Sequence, residues 1–100
     1  MSLRVVFTYE AEDQLVELHR YIAARRSAEV AARYLDAIVE FCEELGRFPY
    51  QGRARDDIRS GLRTVGFKRR AVIAFAMLDE TLVIVGVFYG GRDYEAALTT

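Results

Sequence analysis

The side chains of this chain that could carry chemistry are mostly arginines and tyrosines. An arginine-rich segment runs from Gly52 to Gly66, and the motif Tyr89-Gly90-Gly91-Arg92-Asp93 follows an apolar stretch. Arginine forms paired hydrogen bonds with carboxylates and phosphates, and a neighbouring tyrosine can transfer a proton. The candidates for acid–base or phosphate chemistry are Arg63, Arg69, Arg70, Arg92, Tyr89 and Tyr94.

Other kinds of active site have little support in the sequence. His19 is the only histidine and has no cysteine or paired acid at metal-ligand spacing, and Cys42 lies in a helical apolar stripe. Asp56-Asp57 sits among arginines, which favours local charge pairing over a cation site. Gly90-Gly91 lacks the lysine of a phosphate loop and indicates a strand exit with unusual backbone angles. We therefore predict no catalytic residue, no metal and no cofactor.

The charge of the chain is small overall but unevenly distributed. Fourteen Lys and Arg oppose fifteen Asp and Glu, giving a formal charge of −1, whereas proteins that grip nucleic acid through phosphates usually have a basic excess. Residues 47–70 carry +6, against −4 before them and −3 after them. This basic block predicts a specific anionic partner, and the alternative is a solvated loop with local Arg/Asp pairs.

Length and periodicity predict one domain, residues 1–100, with the order β-α-α-β-β-β and a short terminal helix. The predicted α+β fold has an antiparallel-dominated sheet with a helical hairpin on one face. The predicted elements are strand 3–7, helix 9–24, a helix from the cap Ser27 to about Leu45, strands 62–67, 71–78 and 82–89, and helix 94–98. No apolar stretch is long enough to span a membrane, and the unpaired Cys42 fits a reducing cytoplasm.

The last two predicted strands are apolar on both faces. Strand alternation places Phe75 and Met77 on one face of their strand, and places Val85 and Val87 opposite Phe88 in the next. One helical hairpin covers one face, and a terminal helix this short is a poor cover for the other. The second face therefore predicts a partner protein, and the alternative is closure by twist, by the terminal helix and by self-association.

Three segments carry a family resemblance. They are Leu45-Gly46-Arg47-Phe48-Pro49-Tyr50-Gln51-Gly52, then Arg55-Asp56-Asp57-Ile58-Arg59-Ser60-Gly61-Leu62-Arg63, then Val87-Phe88-Tyr89-Gly90-Gly91-Arg92-Asp93. With the helical hairpin that begins at Ala11, they resemble the ParE branch of the ParE/RelE toxin superfamily of bacterial type II toxin–antitoxin modules. The similarity spans nearly the whole chain.

The resemblance implies a toxin that is neutralised by a ParD-like antitoxin, in a heterodimer or heterotetramer, and that inhibits DNA gyrase without catalysis. The chain would then be cytoplasmic, with no membrane partner and no high-affinity nucleic-acid ligand. The residues expected to bind the antitoxin are Arg59, Arg63, Phe75, Met77, Val85, Val87 and Arg92.

Two alternatives stay open. RelE-type relatives cut mRNA on the ribosome, and Arg63, Arg70 and Arg92 lie near RelE-like basic positions. Tyr89 or Tyr94 would complete such a nuclease, but the tyrosine expected further along is replaced by Ala96-Ala97-Leu98. The other alternative is a non-toxic module that only binds an antitoxin.

Overall fold

The computed structural model describes residues 2–99, so the predicted domain of residues 1–100 extends one residue beyond the described part at each end. The predicted α+β order is confirmed, with one addition, a short strand before the second predicted strand. The elements are β1 (Arg4–Phe7), α1 (Tyr9–Arg25), α2 (Ala28–Leu45), β2 (Arg53–Ala54), β3 (Leu62–Phe67), β4 (Ala71–Leu78), β5 (Thr81–Tyr89) and α3 (Tyr94–Leu98).

Each long helix begins at a hydroxyl cap. The Thr8 hydroxyl accepts a hydrogen bond from Ala11 N at 3.1 Å, and the Ser27 hydroxyl accepts one from Val30 N at 3.1 Å. Helix α2 ends at Gly46, as predicted, but Gly46 has an ordinary right-handed φ of −61°. A Cβ there would lie 2.6 Å from Leu3 O, so the glycine is required by the close approach of the segment before β1.

The five strands form one sheet in the order β1-β5-β4-β3-β2. Strand β1 is parallel to β5, and the other three pairs are antiparallel. The helical hairpin α1–α2 lies on one face of this sheet and α3 on the other. The predicted antiparallel-dominated sheet is therefore confirmed, with one parallel pair at an edge.

A β-bulge in β5 changes which side chains share a face. The register pairs Ala74 with Gly86 and Phe75 with Ile84, so Val85 is an extra residue without a partner in β4. After the bulge the alternation is inverted, and Val87 packs in the helix-side core while Phe88 lies on the α3 side. The predicted placement of Val87 and Phe88, which assumed regular alternation, is wrong.

The bulge is held by the start of α1. Thr8 N donates to Ile84 O at 3.1 Å, and the Thr8 hydroxyl donates to Val85 O at 3.2 Å. Six residues further along, the Gln14 side-chain oxygen accepts from Val87 N at 2.6 Å. These three bonds satisfy backbone groups on both sides of the extra residue, which β4 alone cannot do.

Apolar side chains form a cluster on each face of the sheet. The larger one, between sheet and hairpin, includes Ile38, Cys42, Ile73, Phe75, Leu82, Ile84 and Val87. The smaller one joins Leu62, Ala74, Phe88 and Leu98, with Ile58, Val85 and Tyr94 against it. The terminal helix and the loop before β3 thus cover more of the second face than the sequence predicts. Leu78, at 66% exposure, marks its uncovered end.

We expect Gly86→Ala to lower the free energy of unfolding by about 1–3 kcal/mol, because it overfills a packed site. The added Cβ would lie 2.6 Å from the buried Phe88 ring and 3.3 Å from the Gln14 side-chain oxygen. Gly66→Ala is the matched control, since a Cβ at that position in β3 meets nothing within 4 Å. Urea denaturation measures both, and equal midpoints for the two variants would contradict this account of the bulge.

Candidate functional site

A cleft lies where β4 begins and β5 ends, at the pairing of Ala71 with Tyr89. Three adjoining cavities of about 370, 580 and 360 Å³ all include Tyr21 and Tyr89 in their walls. We call this region the tyrosine–arginine cleft, after the residues that line it: Tyr21, Tyr34 and Tyr89 with Arg25, Arg26, Lys68, Arg69, Arg70 and Arg92.

The three tyrosines of the cleft pack edge to face. Ring centroids are 5.9 Å apart for Tyr21 and Tyr89 and 5.7 Å apart for Tyr34 and Tyr89. The Arg25 guanidinium carbon lies 4.0 Å from the centre of the Tyr21 ring, within cation–π range. The Tyr34 ring also packs edge to face on Phe67, with the two ring centroids 5.7 Å apart, and this contact connects the cleft wall to the core.

The Tyr34 hydroxyl is the only buried side-chain oxygen or nitrogen in residues 2–99 that has no hydrogen-bond partner. Burial raises the pKa of Tyr34, and the neighbouring Tyr89 raises it further, while Arg70 acts in the opposite direction. The hydroxyl therefore stays protonated as a donor that lacks an acceptor. Buried polar groups without partners are uncommon in proteins and need an explanation.

Two cations of the cleft occupy a strained turn. Lys68 and Arg69 connect β3 to β4 with φ of 49° and 59°, and Arg70 N donates to Phe67 O at 3.1 Å across the turn. The left-handed conformation costs a residue other than glycine about 1–2 kcal/mol. Strain of this kind is concentrated at functional sites.

The cleft cations are free of charge partners within the described part of the chain. The side chains of Arg55, Arg59 and Arg63 form hydrogen bonds or ion pairs with other parts of the fold. Within residues 2–99, no such bond or ion pair is formed by the side chains of the cleft cations, which are Arg25, Arg26, Lys68, Arg69, Arg70 and Arg92. The one acid in the cleft wall is Glu17. The cleft therefore concentrates positive charge that the fold leaves uncompensated.

The candidate chemical residues do not all meet. Arg69, Arg70, Tyr89 and Arg92 line the cleft, but Arg63 pairs with Phe75 in the middle of β4, roughly 13 Å along the strand from the Ala71–Tyr89 pair. The Arg63 guanidinium donates to Tyr50 O at 2.7 Å and Gln51 O at 3.1 Å. Tyr94 lies across the sheet, its ring 6.1 Å from that of Phe88.

Several residues expected to bind an antitoxin have structural roles in the free protein. Phe75 and Val87 are buried at 0% and 3% exposure in the helix-side core, so their predicted exposure is wrong. Phe75 lies under the hairpin, and the bulge turns Val87 to the same side. Arg59 donates to Leu98 O at 2.9 Å, at the end of α3. Met77 and Val85 are half-buried and Arg92 is exposed.

Arg55 is a residue whose importance the sequence analysis did not identify. Its side chain is only 11% exposed and forms ion pairs with Asp57 and Glu95. It also donates to the Tyr94 hydroxyl at 2.9 Å. The Arg55 hydrogen bonds hold the pKa of Asp57 below its usual range. The Asp57 contact agrees with local charge pairing, but the contacts with α3 have no signal in the local sequence.

The remaining candidates are inert or isolated. Cys42 is fully buried, and burial raises the pKa of its thiol to about 12, so it packs as an apolar side chain. His19 is half-buried on α1. Over residues 2–99 no three His, Cys, Asp or Glu side chains are grouped to hold a metal ion. Within the same residues, no helix has the length and apolarity needed to cross a membrane.

We expect Arg55→Ala to loosen α3, because it removes the side chain that joins Asp57, Tyr94 and Glu95. Amide hydrogen exchange in α3 should become about tenfold faster or more, with a smaller effect on the hairpin. Arg47→Ala is the matched control, since the contacts of Arg47 with Glu44 at 3.9 Å and with the Phe48 ring at 6.0 Å are both exposed and distant from α3 in sequence. Unchanged α3 exchange in Arg55→Ala would show that apolar contacts alone hold this helix.

We expect Tyr34→Phe to leave the free energy of unfolding unchanged or to raise it by up to about 1 kcal/mol, because it removes a buried hydroxyl without a partner. Tyr34→Ala, which also removes the ring packed on Phe67 and Tyr89, should lower it by about 2–4 kcal/mol. Urea denaturation separates the two effects. A loss in Tyr34→Phe as large as in Tyr34→Ala would mean that the hydroxyl stabilises the free protein.

Comparison with solved structures supports the fold just described. The chain superimposes on a protein of the chromosomal ParDE toxin–antitoxin system from P. aeruginosa with a TM-score of 0.77, at 20% identity, over 89% of this chain and 97% of that one. A chain of the toxin–antitoxin complex RelBE2 from Mycobacterium tuberculosis matches with a TM-score of 0.65, at 24% identity, over 89% of this chain and 99% of that one.

Sequence comparison goes further than fold. The family described as ParE toxin of type II toxin-antitoxin system, parDE, matches residues 5–94. Toxin ParE3 of Caulobacter vibrioides is 30% identical over 95 residues, which cover 95% of this chain and 94% of that protein. The resemblance drawn from the three sequence segments is confirmed, and the chain belongs to the ParE family of toxins of type II toxin–antitoxin systems.

Proposed function

We propose that this toxin arrests growth by inhibiting DNA gyrase, without catalysis of its own, and that a ParD-like antitoxin neutralises it in the cytoplasm. The observation that carries the non-catalytic reading is the separation of the candidate nuclease residues. Arg63 and Tyr94 are bonded elsewhere in the fold, at Tyr50 O and Arg55, and do not reach the cleft that holds Arg70.

The proposal of a ParD-like partner draws on the relatives and on charge. The P. aeruginosa structure is of a ParDE system, and this chain shares its fold. The cleft offers uncompensated cations, and the α3 side of the sheet leaves Leu78 exposed. Both features are those of a protein that buries a charged and partly apolar partner segment.

A ribosome-dependent RNase is the second candidate, since Arg70, Tyr89 and Arg92 do line one cleft. An RNase of this kind would need the Tyr89 hydroxyl for proton transfer, and loss of such a group usually lowers the rate by about 10²–10⁴-fold. A gyrase inhibitor needs a binding surface only. The hydroxyl of Tyr89 therefore discriminates between the two functions.

We expect the toxin, induced in bacteria without antitoxin, to cause DNA double-strand breaks and filamentation, and the purified protein to inhibit gyrase supercoiling. Tyr89→Phe should retain this inhibition within about twofold, because it keeps the ring contacts with Tyr21 and Tyr34 and removes only the hydroxyl. Co-expression of the antitoxin from the neighbouring reading frame should restore growth.

Tyr94→Phe is the control outside the cleft, because it removes a hydroxyl bonded to Arg55. Codon-linked mRNA cleavage that Tyr89→Phe abolishes and Tyr94→Phe does not would establish the RNase and overturn the gyrase proposal. Normal growth with retained antitoxin binding would identify a non-toxic binding module.

A further inference from the structure

We propose that the tyrosine–arginine cleft is the binding site for a carboxylate-rich peptide segment, supplied by the antitoxin. The inference rests on the antitoxin partner of the proposed function but not on gyrase as the target. It moves the expected acidic contact away from Arg59, in the loop before β3, and Arg63, near the start of β3, to the opposite end of β3 and β4.

The charge of the cleft selects an anionic ligand. Six cations and one acid line its walls, and none of the six side chains forms an ion pair within residues 2–99. Five of the six are arginines, whose planar guanidinium groups bind carboxylates through two parallel hydrogen bonds. By contrast, Arg59 already donates to Leu98 O at the end of α3, and Arg63 already donates to Tyr50 O in the segment before β2.

The tyrosines of the cleft suit a peptide that carries apolar side chains beside its carboxylates. Tyr21 is 45% exposed and presents its ring between the three cavities. Tyr34 lines the same cavity as Arg25 and Arg70, and its hydroxyl is buried beneath that wall.

The charge around the cleft favours a peptide over a nucleic acid. The whole chain carries −1, so the residues outside the cleft carry −6. Exposed acids at Glu10, Glu12, Asp13 and Glu17 lie on α1, whose Gln14 and Glu17 line the first cavity. A nucleic acid bears a charge at every nucleotide, so its backbone would run from the cleft into this acidic helix. A peptide can confine its carboxylates to the cleft.

The test uses a fluorescein-labelled peptide of Glu residues interspersed with Leu, titrated with the full-length toxin. The same peptide with Gln at every Glu position controls for apolar binding, and oligothymidylate of matched length tests nucleic acid. We expect the Glu peptide to bind with an affinity that falls as salt rises, and the other two probes to bind at least about tenfold more weakly.

Charge reversal locates the site. Arg70→Glu should weaken binding of the Glu peptide by about tenfold or more, because it places a like charge in the cleft. Arg4→Glu makes the same charge change on an exposed residue that pairs with Thr81, at the far end of β5 from Tyr89, and should leave the affinity unchanged.

Each contrary outcome rejects the inference in a specific way. If the Gln peptide bound as tightly as the Glu peptide, the site would recognise apolar side chains and not carboxylates. If oligothymidylate bound more tightly than the Glu peptide, the cleft would be a nucleic-acid site. If Arg59→Glu weakened binding of the Glu peptide and Arg70→Glu did not, the acidic contact would lie at the loop before β3 and not in the cleft. Gyrase inhibition needs no peptide, so a toxin that inhibits gyrase but fails these titrations disproves this inference alone.

Discussion

The extra residue at Val85 is the constraint on which the two faces of this sheet depend. It inverts the alternation of β5, so that Val87 and Tyr89 lie on the hairpin side and Phe88 lies under α3. The bonds from Thr8 and Gln14 fix this irregularity to the first helix. Helix, sheet and cleft are thus coupled, because Tyr89 leaves β5 on the same side as Tyr21 and Tyr34 only after the inversion.

Much of the fold was predictable because its local signals agree with its tertiary structure. The caps Ser27 and Asp93, the apolar stripe through Cys42 and the glycine strand exit at Gly90 act within a few residues, and each appears where the sequence indicates. The bulge was not predictable, because its bonds join Thr8 and Gln14 to residues more than 70 positions away. Regular alternation then assigned Val87 to the wrong face.

The candidate site was only partly predictable for the same reason. Composition located the basic block, but could not show that Arg55, Arg59 and Arg63 are bonded within the protein while Lys68, Arg69 and Arg70 are not. That difference divides one stretch of sequence into two parts. The first is bonded within the fold, to α3 and to the segment before β2, and the second stays available to a ligand. Tyr21 of α1 and Tyr34 of α2 form part of the cleft wall. In the sequence they are only residues of amphipathic helices, and nothing indicates that they meet.

The turn at Lys68 and Arg69 limits how this protein can evolve. Glycine is the residue that both backbone angles favour, so substitutions toward glycine there would relieve strain. Each would also remove a cation from the cleft. Selection for a more stable fold and selection for a charged cleft therefore oppose each other at these two positions, and sequences that keep Lys or Arg in this turn retain charge in preference to stability.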